Sequence, residues 1–468
     1  MAYCGYVTTL KNVRPHPNAD RMKLADCFGN TVCVGLDAAE GEIILYFPTD
    51  GQLSVEYCEQ NNLVRKKDEN GNNIGGYLDP DKRNVKAIKL RGEKSDGIVM
   101  PLSSILYTDI NLDELNVGDP ITVVNGHEIC CKYIPKTSAH NSNHASGNKT
   151  RKKKVDVAPL FNEHADTEQL AYNLGAFKSG DYIEITLKMH GTSQRTARLP
   201  VLTKFKRTFL DWLNRRDGTP IYDWGHVSGT RRVVLSDYDG GFYGSNAFRE
   251  QHSKFFEGKL HKGEEVFYEV VGFTDTGTPI MANGNNEKLG KDFVKQYGKE
   301  TVFSYGCSPN GNAVYTLRPT GTIFVEEGLP QSDIYVYRMT MTNEDGDVVE
   351  YTPDFMRYRC EQMGVKTVPV LWKGTIPEYT LTDLKVGEDI SAGDWIKNIA
   401  EQFYDGPDPI GKTHTREGVV VRIINRPKFC AYKHKNYEFK MLEGLIKEAA
   451  DAPDMEEAQS LVGEEEEV

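Results

Sequence analysis

Residues 136–154, KTSAHNSNHASGNKTRKKK, contain no Val, Ile, Leu, Met or aromatic side chain. A hydrophobic core cannot run through such a stretch, because nothing in it offsets the entropy of ordering it. The chain is therefore expected to fold as two units, with 136–158 as a flexible basic linker between them. A length of 468 residues is compatible with two or three cores of ordinary size.

Composition removes several classes. Hydrophobic residues at 39% and charged residues at 26% describe a globular chain, neither disordered nor fibrous. No apolar run approaches the roughly 18 residues of a membrane span. The opening MAYCGYVTTLKNV lacks the charged start and apolar stretch of a secretory signal. Nine cysteines, an odd count without a CxxC pair, read as free thiols in a reducing compartment. These features predict a cytoplasmic protein with no membrane association. The net charge of −12 is concentrated: residues 448–468 hold nine Asp/Glu and no Lys/Arg, an acidic tail. Residues 195–232 and 411–447 each hold nine Lys/Arg against three Asp/Glu. Basic segments on a near-neutral body can bind a polyanion.

Residues 1–135 read as short strands such as GNTVCVGL and EIILYFP, with a long polar loop at 65–84. Residues 159–447 form the second unit. Strand composition recurs in DYIEITLKM, TRRVVLSD, EEVFYEVVGF, DIYVYRMTM, REGVVVRII and FCAYKHK. The spacing of Phe205, Phe209, Trp212 and Leu213 predicts a helix over 204–216, stopped by Gly218. Its apolar stripe belongs in the core, and its basic residues are expected near any bound polyanion. A last helix is expected to begin near Glu438 and end before Pro453, leaving 448–468 as helix end and acidic tail.

Alternation in DYIEITLKMHGTS puts Ile183, Ile185, Leu187 and Met189 on one face and Tyr182, Glu184, Thr186 and Lys188 on the other. Lys188 ends the strand on the polar side, with Gly191 three residues on, where backbone can approach a ligand closely. In CAYKHKN, Lys433 and Lys435 point the same way, two cations suited to a polyphosphate. Glu417 leads an apolar strand, a position from which a carboxylate can hold a hard cation such as Mg²⁺. Glu269 lies inside an apolar strand and needs a partner, structural or ligand hydroxyl. Tyr335 and Tyr337 share a face, and either ring could stack on a purine.

The ordered series Lys-x-x-Gly, SGTRR, FYEVVG, YVYRMT, EGVVV and KHK, over residues 160–447, resembles the covalent nucleotidyltransferase superfamily of RNA ligases, DNA ligases and capping enzymes. The runs KMHGTS and Lys-x-Lys-Asn followed by Phe439 resemble the RNA ligases. So does the position of the β-rich unit, which precedes the catalytic domain. The resemblance implies an α+β protein: an N-terminal OB-like β-barrel RNA-binding domain over 1–135, then a nucleotidyltransferase (ATP-grasp-like ligase) domain over 159–447, of antiparallel sheets flanked by helices. It implies an ATP-dependent ligase that joins RNA 3′-hydroxyl and 5′-phosphate ends with Mg²⁺ or Mn²⁺, without an obligate protein partner.

Carried across, Lys188 is the nucleophile that takes AMP. Glu417 serves the metal and the nucleotide, and Lys433 and Lys435 bind phosphates. Glu269 binds ribose hydroxyls, Tyr337 stacks on adenine in preference to Tyr335, and Arg231 contacts phosphate or ribose. Gly191 and His190 line the nucleotide. The commonest pattern is Lys-x-Asp-Gly, and His190 here replaces the acid, removing a negative charge. The alternatives are a GTP-using guanylyltransferase, a DNA ligase, or a non-catalytic RNA-binding protein with a degenerate nucleotidyltransferase domain.

Overall fold

The computed structural model describes residues 3–66, 76–133, 156–162, 164, 167–208, 218–231, 233–235, 238, 246–280, 305–307, 330–383, 387–410 and 415–440, with backbone alone for 312–317 and 322–327. The expected linker up to residue 155, the basic run 151–154 and the acidic tail lie outside these residues. The chain divides into two compact units: Met1–Lys136 with Lys440–Asp451, and Thr137–Phe439 with Ala452–Val468.

The first unit is built from short antiparallel strands. Gly5–Thr9 lies between Pro120–Ile121 and Ile43–Phe47, and Ile43–Phe47 also pairs with Ile98–Pro101. Lys11–Pro15, Lys23–Cys27 and Asn30–Val34 form a three-stranded sheet. Val7, Leu45, Phe47, Leu53, Tyr57 and Ile105 are fully buried in one core. The helix Val55–Gln60 is capped by Ser54, whose Oγ accepts from the Tyr57 N–H. Among the described residues no sheet closes on itself. Of the polar loop, residues 67–75 lie outside the description; Val64 and Leu78 are bridged across it.

The second unit holds two larger sheets. One runs in the order Glu168–Gln169, Cys430–Lys435, Gly418–Ile423, Tyr182–Leu187, Val370–Thr375, antiparallel except for its first pair. The other runs Thr219–Gly229, Thr192–Lys206, Glu264–Gly272, Ser332–Thr342, Val348–Glu350, with Lys366–Thr367 parallel to Ser332–Thr342. The apolar face read from DYIEITLKM is buried as expected: Ile183 and Ile185 pack with Ile376, Ile396, Val419 and Val421. The second sheet packs Val266, Tyr268, Val270 and Val336 against Phe248, Phe256 and Met356. The chain passes from the first sheet to the second between Leu187 and Thr192, so the lysine motif is the crossing segment.

On the polar face of the lysine strand, Tyr182 is exposed and the Glu184 side chain is buried, paired with Arg357 at 2.8 Å and Lys373 at 3.1 Å. Two expectations change. Of the expected strand TRRVVLSD, the described residues 230, 231 and 233–235 form no strand, and among them Val234 bridges back to Gly229. The expected helix 204–216 begins as a strand, since Lys204–Lys206 pair with Thr219–Ile221 in a long hairpin and Phe205 is exposed. Cross-strand pairing there overrides helical spacing; Phe209, Trp212 and Leu213 lie outside the described residues. No described helix is long and apolar enough to cross a membrane. All nine cysteines are free.

Candidate active site

Backbone hydrogen bonds tie the crossing segment to the residues around Glu417, and those in turn to the segment after Lys435. The Lys188 N–H donates to Gly418 O at 3.0 Å, and the Asn436 N–H donates to Glu417 O at 2.8 Å. Gly418 makes this approach possible: its φ is +147°, and a Cβ there would lie 2.1 Å from His434 O. The lysine strand, the Glu417 strand and the Lys435 strand are thus adjacent in one sheet, with their functional side chains at the same end.

Those side chains converge on one carboxylate. Lys188 Nζ is 2.7 Å from Glu417 Oε1, and Lys435 Nζ is 3.5 Å from the same oxygen. His190 Nδ1 stands 3.6 Å from Glu417 Oε2. The Glu417 side chain is 3% exposed. Burial alone would raise its pKa. The Lys188 charge, then that of Lys435, then His190 outweigh burial and hold the carboxyl well below the usual carboxylate range. A buried charge in this position requires its partners, and removing one is costly. Lys433 lies two residues before Lys435 on the same strand, opposite Val420.

His190, the departure from the acidic pattern, is fixed from three sides. Its N–H donates to the Tyr305 hydroxyl at 2.7 Å. Its ring meets Phe439 edge-on at 4.6 Å between centroids, and its Nδ1 faces Glu417. Phe439 belongs to a helical turn capped by Asn436, whose Oδ1 accepts from the Glu438 N–H at 2.7 Å. Burial pushes the Tyr305 hydroxyl well above the ordinary tyrosine range, and the charges of Asp408, Glu417 and Glu269 act the same way.

Gly191 allows the segment to lie against the second sheet. A Cβ at this position would fall 2.3 Å from Val270 O and 3.0 Å from Glu269 Cγ. The close approach read for Gly191 is therefore made to the strand that carries Glu269. Glu269 is buried between Ser193 and Tyr335 across the sheet. A register shift between Phe267 and Tyr268, which pair with Arg338 and Val336, falls at Tyr337, and the Tyr337 hydroxyl meets Ser193 Oγ at 3.0 Å. Such irregularities re-aim side chains next to sites. Tyr335 is 5% exposed, and Tyr337 is half-buried. Arg231 lies in the turn after Thr219–Gly229, where its carbonyl accepts from the His164 N–H at 3.0 Å.

Several residues at this site carried no readable local signal. Tyr305 stands alone in the sequence. Arg249, fully buried on the helix Ala247–Phe255, donates to Ser193 O at 3.1 Å and Thr192 Oγ1 at 2.6 Å, anchoring the strand that follows the motif. Arg195 pairs with Glu265 at 2.9 Å beneath the Phe161 ring.

For a metal, the donor set is sparse. Among the described residues no group of three His, Cys, Asp or Glu could hold an ion. Among the described residues, buried Glu417 Oε2 accepts no hydrogen bond of ordinary length, with His190 Nδ1 3.6 Å away, which leaves it as an oxygen that could meet a cation. One carboxylate suits a Mg²⁺-like ion that keeps waters and takes its other ligands from phosphates.

No family model matches the sequence, and the search of curated proteins matches none. Solved structures do. Naegleria gruberi RNA ligase, as a lysine-to-alanine variant with ATP and Mn, is similar over 94% of this chain and 97% of that chain, with a TM-score of 0.52 and 16% identity. A lysine-to-methionine variant with AMP and Mn is similar over 96% and 99%, with 0.53 and 16%. The same ligase with PPi is similar over 96% and 99%, with 0.52 and 15%. The chain shares the fold of these RNA ligases across nearly its whole length.

Proposed function

We propose that the protein is an ATP-dependent RNA ligase that joins a 3′-hydroxyl to a 5′-phosphate. The observation that carries this reading is the Lys188–Glu417–Lys435 cluster at the crossing between two sheets, on a fold shared with RNA ligases. A strand-end lysine alone is common. One paired to a buried carboxylate, with a second lysine 3.5 Å from that oxygen, is equipped for a charged triphosphate.

In this reading Lys188 Nζ, after losing a proton, attacks the α-phosphorus of ATP. A P–N bond forms and the bond to pyrophosphate breaks. The RNA 5′-phosphate then takes AMP from Lys188, and attack by the 3′-hydroxyl displaces AMP as the strand is sealed. Glu417 orients Lys188 in the resting state and would hold Mg²⁺ or Mn²⁺, which supplies charge neutralisation at the phosphates. Lys435 and Lys433 neutralise phosphate oxygens, Glu269 takes ribose hydroxyls, Tyr337 stacks on adenine and Arg231 reaches phosphate or ribose. His190 and Gly191 shape the floor. The short antiparallel strands of residues 1–135 support an OB-like RNA-binding domain, followed by a linker over 136–158, a catalytic domain over 159–447 and an acidic end over 448–468. The free cysteines support a reducing compartment, the cytoplasm.

The test is incubation with labelled ATP or labelled GTP, then denaturing electrophoresis. A ligase takes AMP label on the protein and seals RNA. GMP label would make it a guanylyltransferase, and no label would leave a binding protein.

A further inference from the structure

The hairpin Thr192–Lys206/Thr219–Gly229 outruns its sheet. Of the strand Thr192–Lys206, only Thr192–Ala197 pair with Glu264–Gly272. The nine residues Arg198–Lys206 extend further, about 30 Å at strand rise, paired along this stretch with the hairpin partner. The Leu202 N–H still reaches Val157 O at 2.8 Å. From Thr203 to Thr208 every residue is exposed. A two-stranded ribbon is marginal by itself, and this end buries little apolar surface to offset its ordering.

The end of the ribbon is cationic. Residues 203–208 read TKFKRT, with three cations and no acid, and residues 203–218 hold five Lys/Arg against two Asp. Lys204 and Lys206, opposite Ile221 and Thr219, project from one face by alternation, and neither makes a described ion pair. Phe205 lies between them on the other face, 37% exposed. The nearest acid on the partner strand, Asp223, is turned to its own backbone, its Oδ1 accepting from the Trp224 N–H at 2.7 Å. Spaced cations beside an exposed ring match the way proteins track a single strand: ammonium groups on phosphates, an aromatic under a base.

We infer that the end of this hairpin is a contact for the phosphate backbone of the RNA substrate, made by Lys204 and Lys206 with Phe205 as a stacking surface. The inference rests on the RNA-ligase reading for its choice of polyanion. It is sequence-independent and acts on RNA binding, not on lysine adenylylation.

The experiment uses the full chain, a 5′-phosphorylated single-stranded RNA and two double variants, K204E/K206E and K204Q/K206Q. Affinity is measured against salt concentration, and AMP labelling in parallel. Both variants should fold and take AMP as the wild type does, since both side chains are exposed. The neutral variant should bind RNA on the order of 10-fold more weakly at low salt, with the salt slope reduced by about 1.4, two phosphate contacts on a single strand. Charge reversal should weaken binding further. Unchanged affinity and slope in both variants would overturn the inference, whether or not the ribbon binds an acidic polypeptide. A wild type that takes no AMP yet binds RNA through these lysines would sink the ligase reading and leave the contact standing.

Discussion

Lys188 Nζ lies 2.7 Å from Glu417 Oε1, and the carboxylate is almost fully enclosed. The two come from distant parts of the chain and meet because the Tyr182–Leu187 and Gly418–Ile423 strands are neighbours in one sheet. The pair holds the lysine at a fixed place and gives the buried carboxylate its main compensating charge. In the proposed reaction the lysine proton must leave before attack, which a cation entering at Glu417 would favour by competing for the same carboxylate.

Replacing Lys188 with Ala should abolish protein–AMP formation. Glu417 keeps Lys435, so the fold should persist, with a loss smaller than the roughly 3–5 kcal/mol of an orphaned buried charge. Labelling with ATP and a urea melt check the two statements separately. An AMP adduct on the Lys188→Ala protein would falsify the assignment of the nucleophile.

Glu417→Gln should slow AMP formation on the order of 100-fold, as loss of a principal electrostatic element does. The same substitution carries a pH signature. Glu417 titrates lower in the folded protein than in the unfolded chain, so its ionised form is stabilising above the unfolded value of about 4.3. That contribution is lost as pH falls through the folded value. The stability gap between wild type and Glu417→Gln should therefore be full near neutrality and shrink below about pH 4. A gap constant from neutral to acid pH would contradict the depressed titration.

Gly191→Ala places a methyl group where Val270 O stands at 2.3 Å. Backbone must shift, and stability should fall by about 1–3 kcal/mol, the usual range for overpacking. AMP labelling should fall with it, because Lys188 is three residues away on the same crossing. A normal melting temperature with normal labelling would show that the two sheets separate there without cost.

Tyr305→Phe removes the acceptor of the His190 N–H while keeping the ring. A buried N–H left without a partner costs about 1–3 kcal/mol. Unfolding by urea should register that loss, and single-turnover AMP transfer should slow because the crossing segment loses a tether. Unchanged values for both would mean that the N–H finds another acceptor.

The alternation of DYIEITLKM determined which side of that strand is core, because burial on one face leaves only one register for Ile183 and Ile185. The chain order of the motif-bearing segments is a property of the sequence, whereas their division between two sheets was not read from it. The stretch at 136–154 has no apolar residue larger than Ala139 and Ala145, and that composition was the sequence's reason to expect a linker there. Helical spacing misread Lys204–Lys206, where hairpin pairing decides the conformation.

What only the tertiary structure decided is which charges meet. Glu184 and Glu417 both read as carboxylates at strand positions, yet Glu184 is taken by Arg357 and Lys373 and Glu417 by Lys188 and Lys435. Tyr305 and Arg249 gave no local sign of their places beside the crossing, since neither belongs to a periodic pattern and each acts through a single long-range contact set. Periodicity is a property of neighbouring residues and survives in the sequence. The partner of a buried charge is chosen by sheet order and by the space a glycine leaves, and neither exists until the chain has folded.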